Sequence, residues 1–254
     1  MPAMDISAVI ITLNEEANIE ECLESVSWAR EIVVVDAESS DRTREIALRF
    51  TPQVHERKWD GYSEAKAYAI SKANSEWVLS IDADERVTPE LKKEIRSLHP
   101  PGGVDGYMVP IKPLFLGRWI KHCGWYPGYK LRLFRKDSAT MTPRRLHEGI
   151  RVKGGVGRLA GPLLHYAYPT VRSYFRKFSR YTDLGARELH ERGRRAGAFD
   201  IAVRPLFSFL KMYVFKLGFL DGIEGLVLCV FSSLYVLVKY VKLRELTGSP
   251  GGPE

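Results

Sequence analysis

Short apolar runs that stop abruptly at polar or acidic residues, separated by helix-patterned stretches, constrain this chain more than any other feature. Ile6–Leu13 is a β-branched run that meets Asn14-Glu15, Ile32–Val35 ends at Asp36, a short strand is predicted near Val54, and Trp77–Ile81 ends at Asp82-Ala83-Asp84. Between these runs Ile19, Cys22, Leu23 and Val26 recur at spacings of three and four, Ile46, Ala47 and Phe50 mark a second helical face, and a third helix is predicted around Glu64–Ala73. Thr88-Pro89-Glu90 opens a fourth, with Pro89 suited to the first helical position and Leu91, Ile95 and Leu98 facing inward. Strand–helix alternation at this spacing predicts an α/β fold: βαβ units, a mostly parallel Rossmann-like sheet, and helices on both faces. Such sheets bind ligands beyond the carboxyl ends of their strands. Three of the polar sets fall there, which points to one site.

The remainder has a different texture. Residues 100–170 are rich in Gly, Pro and aromatics, with strand-like stretches at Tyr107–Ile111 and Leu131–Phe134. From Val171 a helical pattern returns, with Tyr174, Phe175, Phe178, Tyr181 and Leu184 on one face and Arg172, Arg176, Lys177, Arg180 and Arg187 on the other. Two apolar segments follow, Pro205–Leu220 and Ile223–Val241. The organisation read from this is a sheet-bearing domain over 1–170, a helical membrane-associating or oligomerising region over 171–247, and a disordered tail over 248–254. The first domain divides into parts over about 5–98 and about 99–170.

Charge follows the same division. The 254 residues carry a net charge of +7, yet 1–169 hold 24 Lys/Arg against 23 Asp/Glu while 170–254 hold 14 against 8. Basicity beside long apolar runs fits an anionic membrane surface, and a nucleic-acid partner is not expected. Ile223–Val241 is 19 residues long with Glu224 and Lys239 near its ends, at the lower edge of the roughly 20 residues a span requires. Pro205–Leu220 is shorter and carries Lys211 and Lys216. Helices lying in the membrane interface are the favoured reading; a packed helical pair, an oligomer contact or a span are the alternatives. The three cysteines are far apart, so reduced thiols are expected rather than a disulfide framework. Asp5 interrupts any basic-then-apolar leader, and no signal peptide is expected.

Asp82-Ala83-Asp84 at a strand end can turn both carboxylates toward one ligand, and hard oxygen donors of this kind suit Mg²⁺ or Mn²⁺ together with substrate phosphates. The competing reading is a polar turn that caps the next helix. His165, after Gly161-Pro162-Leu163-Leu164, is either a further metal ligand or a hydrogen-bonded core histidine. Arg132 and Arg135, beside Lys130 and Lys136, either stabilise a departing diphosphate or a phosphorylated acceptor, or form a solvated strand face. Trp119, with Trp59, Trp125 and Tyr126, could stack on a sugar or simply pack.

Three motifs in order carry a family resemblance: Ile-Ile-Thr-Leu-Asn-Glu-Glu at 10–16, Val-Val-Val-Asp-Ala-Glu-Ser-Ser-Asp-Arg-Thr at 33–43, and Ile-Asp-Ala-Asp-Glu at 81–85. Residues 6–96 resemble the nucleotide-binding half of a family 2 glycosyltransferase of the GT-A fold. Gly117-Arg118-Trp119, Leu131-Arg132-Leu133-Phe134-Arg135 and His147-Glu148 extend the likeness to about residues 5–245. There the chain resembles the branch that adds sugars to lipopolysaccharide core, including the β-1,4-glucosyltransferases acting on core heptose.

The resemblance implies an inverting, metal-dependent transfer from a nucleoside-diphosphate sugar, UDP-linked, to a lipopolysaccharide-core or other lipid-linked acceptor at the cytoplasmic face of a bacterial inner membrane. Asp36 would accept a hydrogen bond from the base, with Thr12, Asn14, Glu15, Lys66 and Ala83 lining the nucleotide-sugar pocket. Asp82 would hold the ribose or a water on the metal, and Asp84, with His165, would ligate the metal. Glu148 would be the base that deprotonates the acceptor hydroxyl, and His147 would stand beside it. Ala37 and Ala67 depart from the Ser and Asn usual at these positions, which bears on nucleotide contacts and not on the metal. The within-class rival is transfer to polyprenyl phosphate or an exopolysaccharide intermediate. A nucleotidyltransferase would favour a Gly-rich basic loop after the first strand, where this chain has Asn14-Glu15-Glu16. A non-catalytic sugar-nucleotide-binding membrane protein is the third class, and homo-oligomerisation stays open.

Overall fold

The computed structural model describes residues 4–142 and 149–248, in two compact units. The first comprises Met1–Lys112 with Gly128–His165, the second Pro113–Pro127 with Tyr166–Glu254. In the first unit the alternation read from the sequence becomes β1 (Ile6–Thr12), α1 (Ile19–Val26), β2 (Glu31–Asp36), α2 (Thr43–Leu48), β3 (Val54–Glu56), α3 (Tyr62–Lys72) and β4 (Trp77–Asp82). The short β5 (Glu85–Val87) then leads into α4 (Pro89–Arg96), whose cap is the Thr88 side chain accepting from Leu91 N.

Strands β1, β2, β3 and β4 pair in parallel, in the order β3-β2-β1-β4. Alternation then sorts their side chains. Ala8, Ile10, Ile32, Val34, Leu79 and Ile81 pack with the apolar faces of α1, α2 and α4. Val9, Ile11, Val33, Val35 and Val78 pack with Ala65, Ala69 and Ile70 of α3. β1, β2 and β4 are therefore buried on both sides, which is why their sequences are continuous apolar runs rather than alternating ones, while Val-His-Glu of β3 sits at the sheet edge.

Between residues 100 and 170 no crossover helix intervenes among the described residues, and most pairings are antiparallel. The strands are β6 (Val104–Phe115), β7 (Arg118–Trp119), β8 (Gly128–Arg135), β9 (Ala139–Thr142), β10 (Gly149–Val152), β11 (Gly155–Arg158) and β12 (Leu163–Tyr168). β8 lies antiparallel between β4 and β6, and β12 lies antiparallel to β5. β11 pairs in parallel with β6, while β9 and β10 form a separate two-stranded sheet. The large sheet is thus mixed, with its four-stranded parallel core in the first ninety residues.

The second unit holds α5 (Val171–Glu191), α6 (Ala198–Leu210) and α7 (Gly222–Gly248) around Phe115, Ile120, Cys123, Tyr174, Leu228 and Cys229. Thr170 and Ser173 form a reciprocal cap at the start of α5. α6 passes into a π turn over Lys211–Phe215, and the chain reverses through Leu217 (φ 54°) and a 3₁₀ turn over Gly218–Asp221. The apolar stretch Ile223–Val241 lies within α7, while Pro205–Leu220 is divided between the end of α6 and this turn. Cys22, Cys123 and Cys229 are free thiols.

Candidate active site

Parallel register brings three strand ends level. Thr12 of β1 pairs with Asp36 of β2, and Ile11 of β1 pairs with Asp82 of β4. Asp36 is buried and accepts from Ser39 N at 2.9 Å and Ser39 Oγ at 2.6 Å. The two loops after β1 and β2 interlock. Asn14 N donates to Ser39 Oγ, Asn14 Oδ1 accepts from Ser40 N, and Glu15 N donates to Thr43 Oγ1, each at 2.8 Å. Asn14 adopts φ 55°, a left-handed conformation that an Asn tolerates better than most residues. The Glu15 carboxylate accepts from Asn18 Nδ2 at 2.6 Å. Thr12 Oγ1, buried at the same level, has no hydrogen-bond partner among the described residues. A buried open hydroxyl of this kind is what a bound ligand or water satisfies.

Beside them lies a buried charge cluster. Lys66, on the inner face of α3, sets Nζ 2.9 Å from Asp82 Oδ1, and Arg132 of β8 sets Nη2 2.8 Å from Asp82 Oδ2. Arg132 also pairs with Glu85 Oε1, while Glu85 Oε2 accepts from Asp82 N at 3.0 Å. Two cations thus meet two carboxylates, and Glu85 is wholly buried. Burial alone would raise the Asp82 carboxyl, but the Lys66 ammonium and the Arg132 guanidinium hold it well below the usual carboxylate range. The Lys130 ammonium is pushed down, first by repulsion from Arg132 and then by burial. Arg132 Nε is a second buried polar atom without a partner among the described residues.

Asp84 follows two residues after Asp82 and is buried. Its Oδ2 lies 3.5 Å from His165 Nε2, brought there by the β12–β5 pairing that sets His165 opposite Glu85. A carboxylate oxygen and an imidazole nitrogen this close suit a divalent cation. Among the described residues no group of three His, Cys, Asp or Glu side chains is arranged to hold a metal. An ion held by Asp84 and His165 would have to take its remaining ligands from water and phosphate oxygens, as Mg²⁺ commonly does. Ala83 is buried, and its carbonyl accepts from Arg86 Nη1 at 2.9 Å.

The arginines of β8 part company. Arg132 turns into the cluster, whereas Arg135, three residues on and hence on the other side of the strand, pairs with Glu76 and stacks over Trp77 at 5.0 Å. Trp119 belongs to the second unit, where its ring meets Tyr126 edge-on at 5.2 Å with Lys121 Nζ 4.8 Å above it. His147 and Glu148 lie outside the described residues. Glu85 and Ser39 were not singled out from sequence. The signal for Glu85 is its place directly after Asp84 inside Glu85-Arg86-Val87, a strand buried throughout.

Comparison with known proteins adds the lineage. The family model described as glycosyl transferase family 2 matches residues 7–144, more than half of the chain. An uncharacterized glycosyltransferase of Rickettsia typhi (strain ATCC VR-144 / Wilmington) is 30% identical, over 95% of this chain and 87% of its own. The lipopolysaccharide core biosynthesis glycosyltransferase LpsC of Rhizobium meliloti (strain 1021) is 28% identical, over 96% of this chain and 94% of its own. Among solved structures, glucosyl-3-phosphoglycerate synthase from Mycobacterium tuberculosis, crystallised with Mn²⁺, UDP and glucosyl-3-phosphoglycerate, is 18% identical with a TM-score of 0.44, covering 64% of this chain and 72% of its own. With a β3-β2-β1-β4 parallel core, antiparallel strands beyond it, helices on both faces and acidic residues at the strand ends, the chain has a GT-A fold and belongs to glycosyl transferase family 2.

Proposed function

We propose that this glycosyltransferase moves a sugar, with inversion, from a UDP-linked donor such as UDP-glucose to a lipopolysaccharide-core or other lipid-linked acceptor, working at the cytoplasmic face of a bacterial inner membrane. The observation that carries the donor half is the meeting of Thr12, Asp36 and Asp82 at level strand ends, with Asp84 and His165 paired beside them. The acceptor half draws on near full-length similarity to LpsC, a protein named for lipopolysaccharide core biosynthesis. In this reading residues of about 5–98 bind the donor and 99–170 the acceptor.

Asp36, held by Ser39, presents a fixed acceptor to the base, and the open Thr12 hydroxyl completes that wall. Asp84 and His165 would hold Mg²⁺ or Mn²⁺, which when bound neutralises charge on the leaving diphosphate. The Lys66–Asp82–Arg132–Glu85 cluster keeps a near-neutral, rigid floor under that charge and places two donors where phosphate oxygens arrive. Glu148 takes the proton of the acceptor hydroxyl as that oxygen attacks the anomeric carbon from the face opposite the diphosphate.

The test is UDP release on a panel of UDP-, GDP- and dTDP-sugars with Mn²⁺, Mg²⁺ or EDTA, using truncated lipopolysaccharide core and polyprenyl phosphate as acceptors. Core-dependent UDP release that EDTA stops supports the reading. Transfer only to polyprenyl phosphate replaces the acceptor, and tight UDP binding without turnover on any acceptor replaces the enzyme by a binding protein.

A further inference from the structure

In the second unit α6 presents a stripe to the outside. Phe199, Val203, Leu206, Leu210 and Val214 recur at spacings of three and four and are all exposed, and Phe215 in the turn and Ile223 at the start of α7 add to them, exposed at 74% and 64%. The opposite side of α6 is fixed against α7: Ser233 Oγ donates to the buried Pro205 carbonyl at 2.7 Å, and the Arg204 guanidinium lies 5.4 Å from the Tyr240 ring. The stripe is thus held outward by packing and not by looseness.

The turn is pinned from within. A Cβ on Gly218 would stand 2.9 Å from the sulfurs of both Cys123 and Cys229, and one on Gly225 would stand 2.2 Å from the Gly218 carbonyl oxygen. Buried Asp221 accepts from Lys121 N at 3.2 Å and His122 N at 2.8 Å. Small residues and a buried carboxylate fill much of the inside of the reversal, Met212 and Tyr213 pack against the same core, and Phe215, Leu217, Phe219 and Leu220 are left exposed.

Charge indicates what covers this face. Lys211 and Lys216 are exposed within the same segment, and Arg192, Arg194 and Arg195 are exposed on the approach to α6. Lysines are depleted at the centre of protein–protein contacts, but beside a bilayer the long stems of Lys and Arg reach up to anionic headgroups. The most apolar window of the 218–248 segment has a mean hydropathy of 1.8 and is only 17% buried, unlike a helix enclosed in a soluble core.

We propose that α6 and the turn after it, residues 199–223, form the lipid-embedded face of this protein, lying along one leaflet of an anionic bilayer at the headgroup–acyl boundary. The proposal rests on the membrane placement given above and deepens it by naming the element that enters the lipid: α6 and the turn lead, and α7 stands behind them. Amphipathic helices in this setting sit about 5–10 Å into that boundary.

The full chain is tested by flotation with vesicles of phosphatidylethanolamine and phosphatidylglycerol, against phosphatidylcholine alone. Wild type should float with the anionic vesicles. A Leu206→Glu/Phe215→Glu/Ile223→Glu variant should bind them at least tenfold more weakly, with helical circular dichroism and donor hydrolysis unchanged. A tryptophan at Phe215→Trp should be quenched by brominated acyl chains, and one at Leu237→Trp on α7 should not. Quenching at 237 and not at 215 overturns the assignment while leaving membrane placement standing; failure of wild type to float with either vesicle overturns both. Wild-type vesicle binding by the triple variant, with a solution dimer lost by light scattering, would show a second copy on this face and also overturn the assignment.

Discussion

Asp84 Oδ2 and His165 Nε2 stand 3.5 Å apart, although one follows β4 and the other lies in β12, the last strand of the sheet. What joins them is the antiparallel pairing of β12 with β5, which sets Leu163, Leu164 and His165 opposite Val87, Arg86 and Glu85. The paired strands also bury Leu163 and Val87, so the geometry of this pair is maintained by the core.

Asp84→Ala and His165→Ala should each leave the fold intact and reduce metal-dependent UDP release, Asp84→Ala to background. His165→Ala should raise the Mn²⁺ concentration for half-maximal rate by roughly 10–100-fold, the scale on which support of a metal site is usually felt. A metal titration of UDP release reads both. Full activity of the wild-type protein in EDTA would remove the metal role.

Arg132→Met should be strongly destabilising, because wholly buried Glu85 would lose its guanidinium and half-buried Asp82 would keep Lys66 but lose its second cation. Breaking one side of a buried ion pair costs about 3–5 kcal/mol. Arg132→Met/Glu85→Gln should recover at least half of that loss, since the amide oxygen still accepts from Asp82 N. Urea unfolding of both variants measures the difference. Equal stability of the single variant and wild type would mean that water replaces the guanidinium.

Glu148→Gln should keep donor binding and slow transfer by about 10²–10⁴-fold, because an amide cannot take the acceptor proton. Separate measurement of UDP binding and of transfer distinguishes loss of a base from loss of the pocket. Wild-type transfer would move the base elsewhere, with Asp137 the next carboxylate to replace.

Glu31 predicts a response to acid. Its carboxylate accepts from the Ser7 hydroxyl, Gln53 Nε2, Asn74 N and Asn74 Nδ2. Burial raises this carboxyl, yet these hydrogen bonds outweigh it and bring it from 4.5 to about 2. A carboxyl lowered by folding stabilises the fold fully above its unfolded value and loses that contribution as pH falls toward the folded one. Glu31→Gln should therefore cost about 1–2 kcal/mol at pH 7, discounted for solvent screening of a partly exposed group. It should also flatten the fall in stability between pH 4.5 and 2, read by urea midpoints across that range. An unchanged pH profile would show that the network forms equally around the neutral acid.

Much of the donor side was legible because it is written in local periodicity. Continuous apolar runs give strands buried on both faces, three-and-four spacing gives helix faces, and a parallel sheet places whatever follows each strand at one edge. Asn14, Asp36, Asp82 and Asp84 were therefore visible as candidates, and Lys66 came with the family resemblance. Arg132 and Arg135 could not be separated in the same way. Alternation says that they point to opposite sides, but only the insertion of β8 between β4 and β6 decides which side holds Asp82. Glu85 is not singled out by its sequence pattern, and its pairing depends on Arg132 arriving from 47 residues away. Glu148 rests on its motif alone, outside the described residues.

The sequence by itself determined the parallel core, the acidic strand ends and a basic, apolar C-terminal region, since each of these follows from spacing and composition within a few turns of chain. The tertiary structure decided the partners: Asp82 with Lys66 and Arg132, Asp84 with His165, and α7 packed against α5 and α6 with an apolar stripe of α6 left exposed. A partner is set by which distant segments the sheet and the helix packing bring within a few ångströms. Charge pairing and burial act over that distance in space, whatever the separation along the chain.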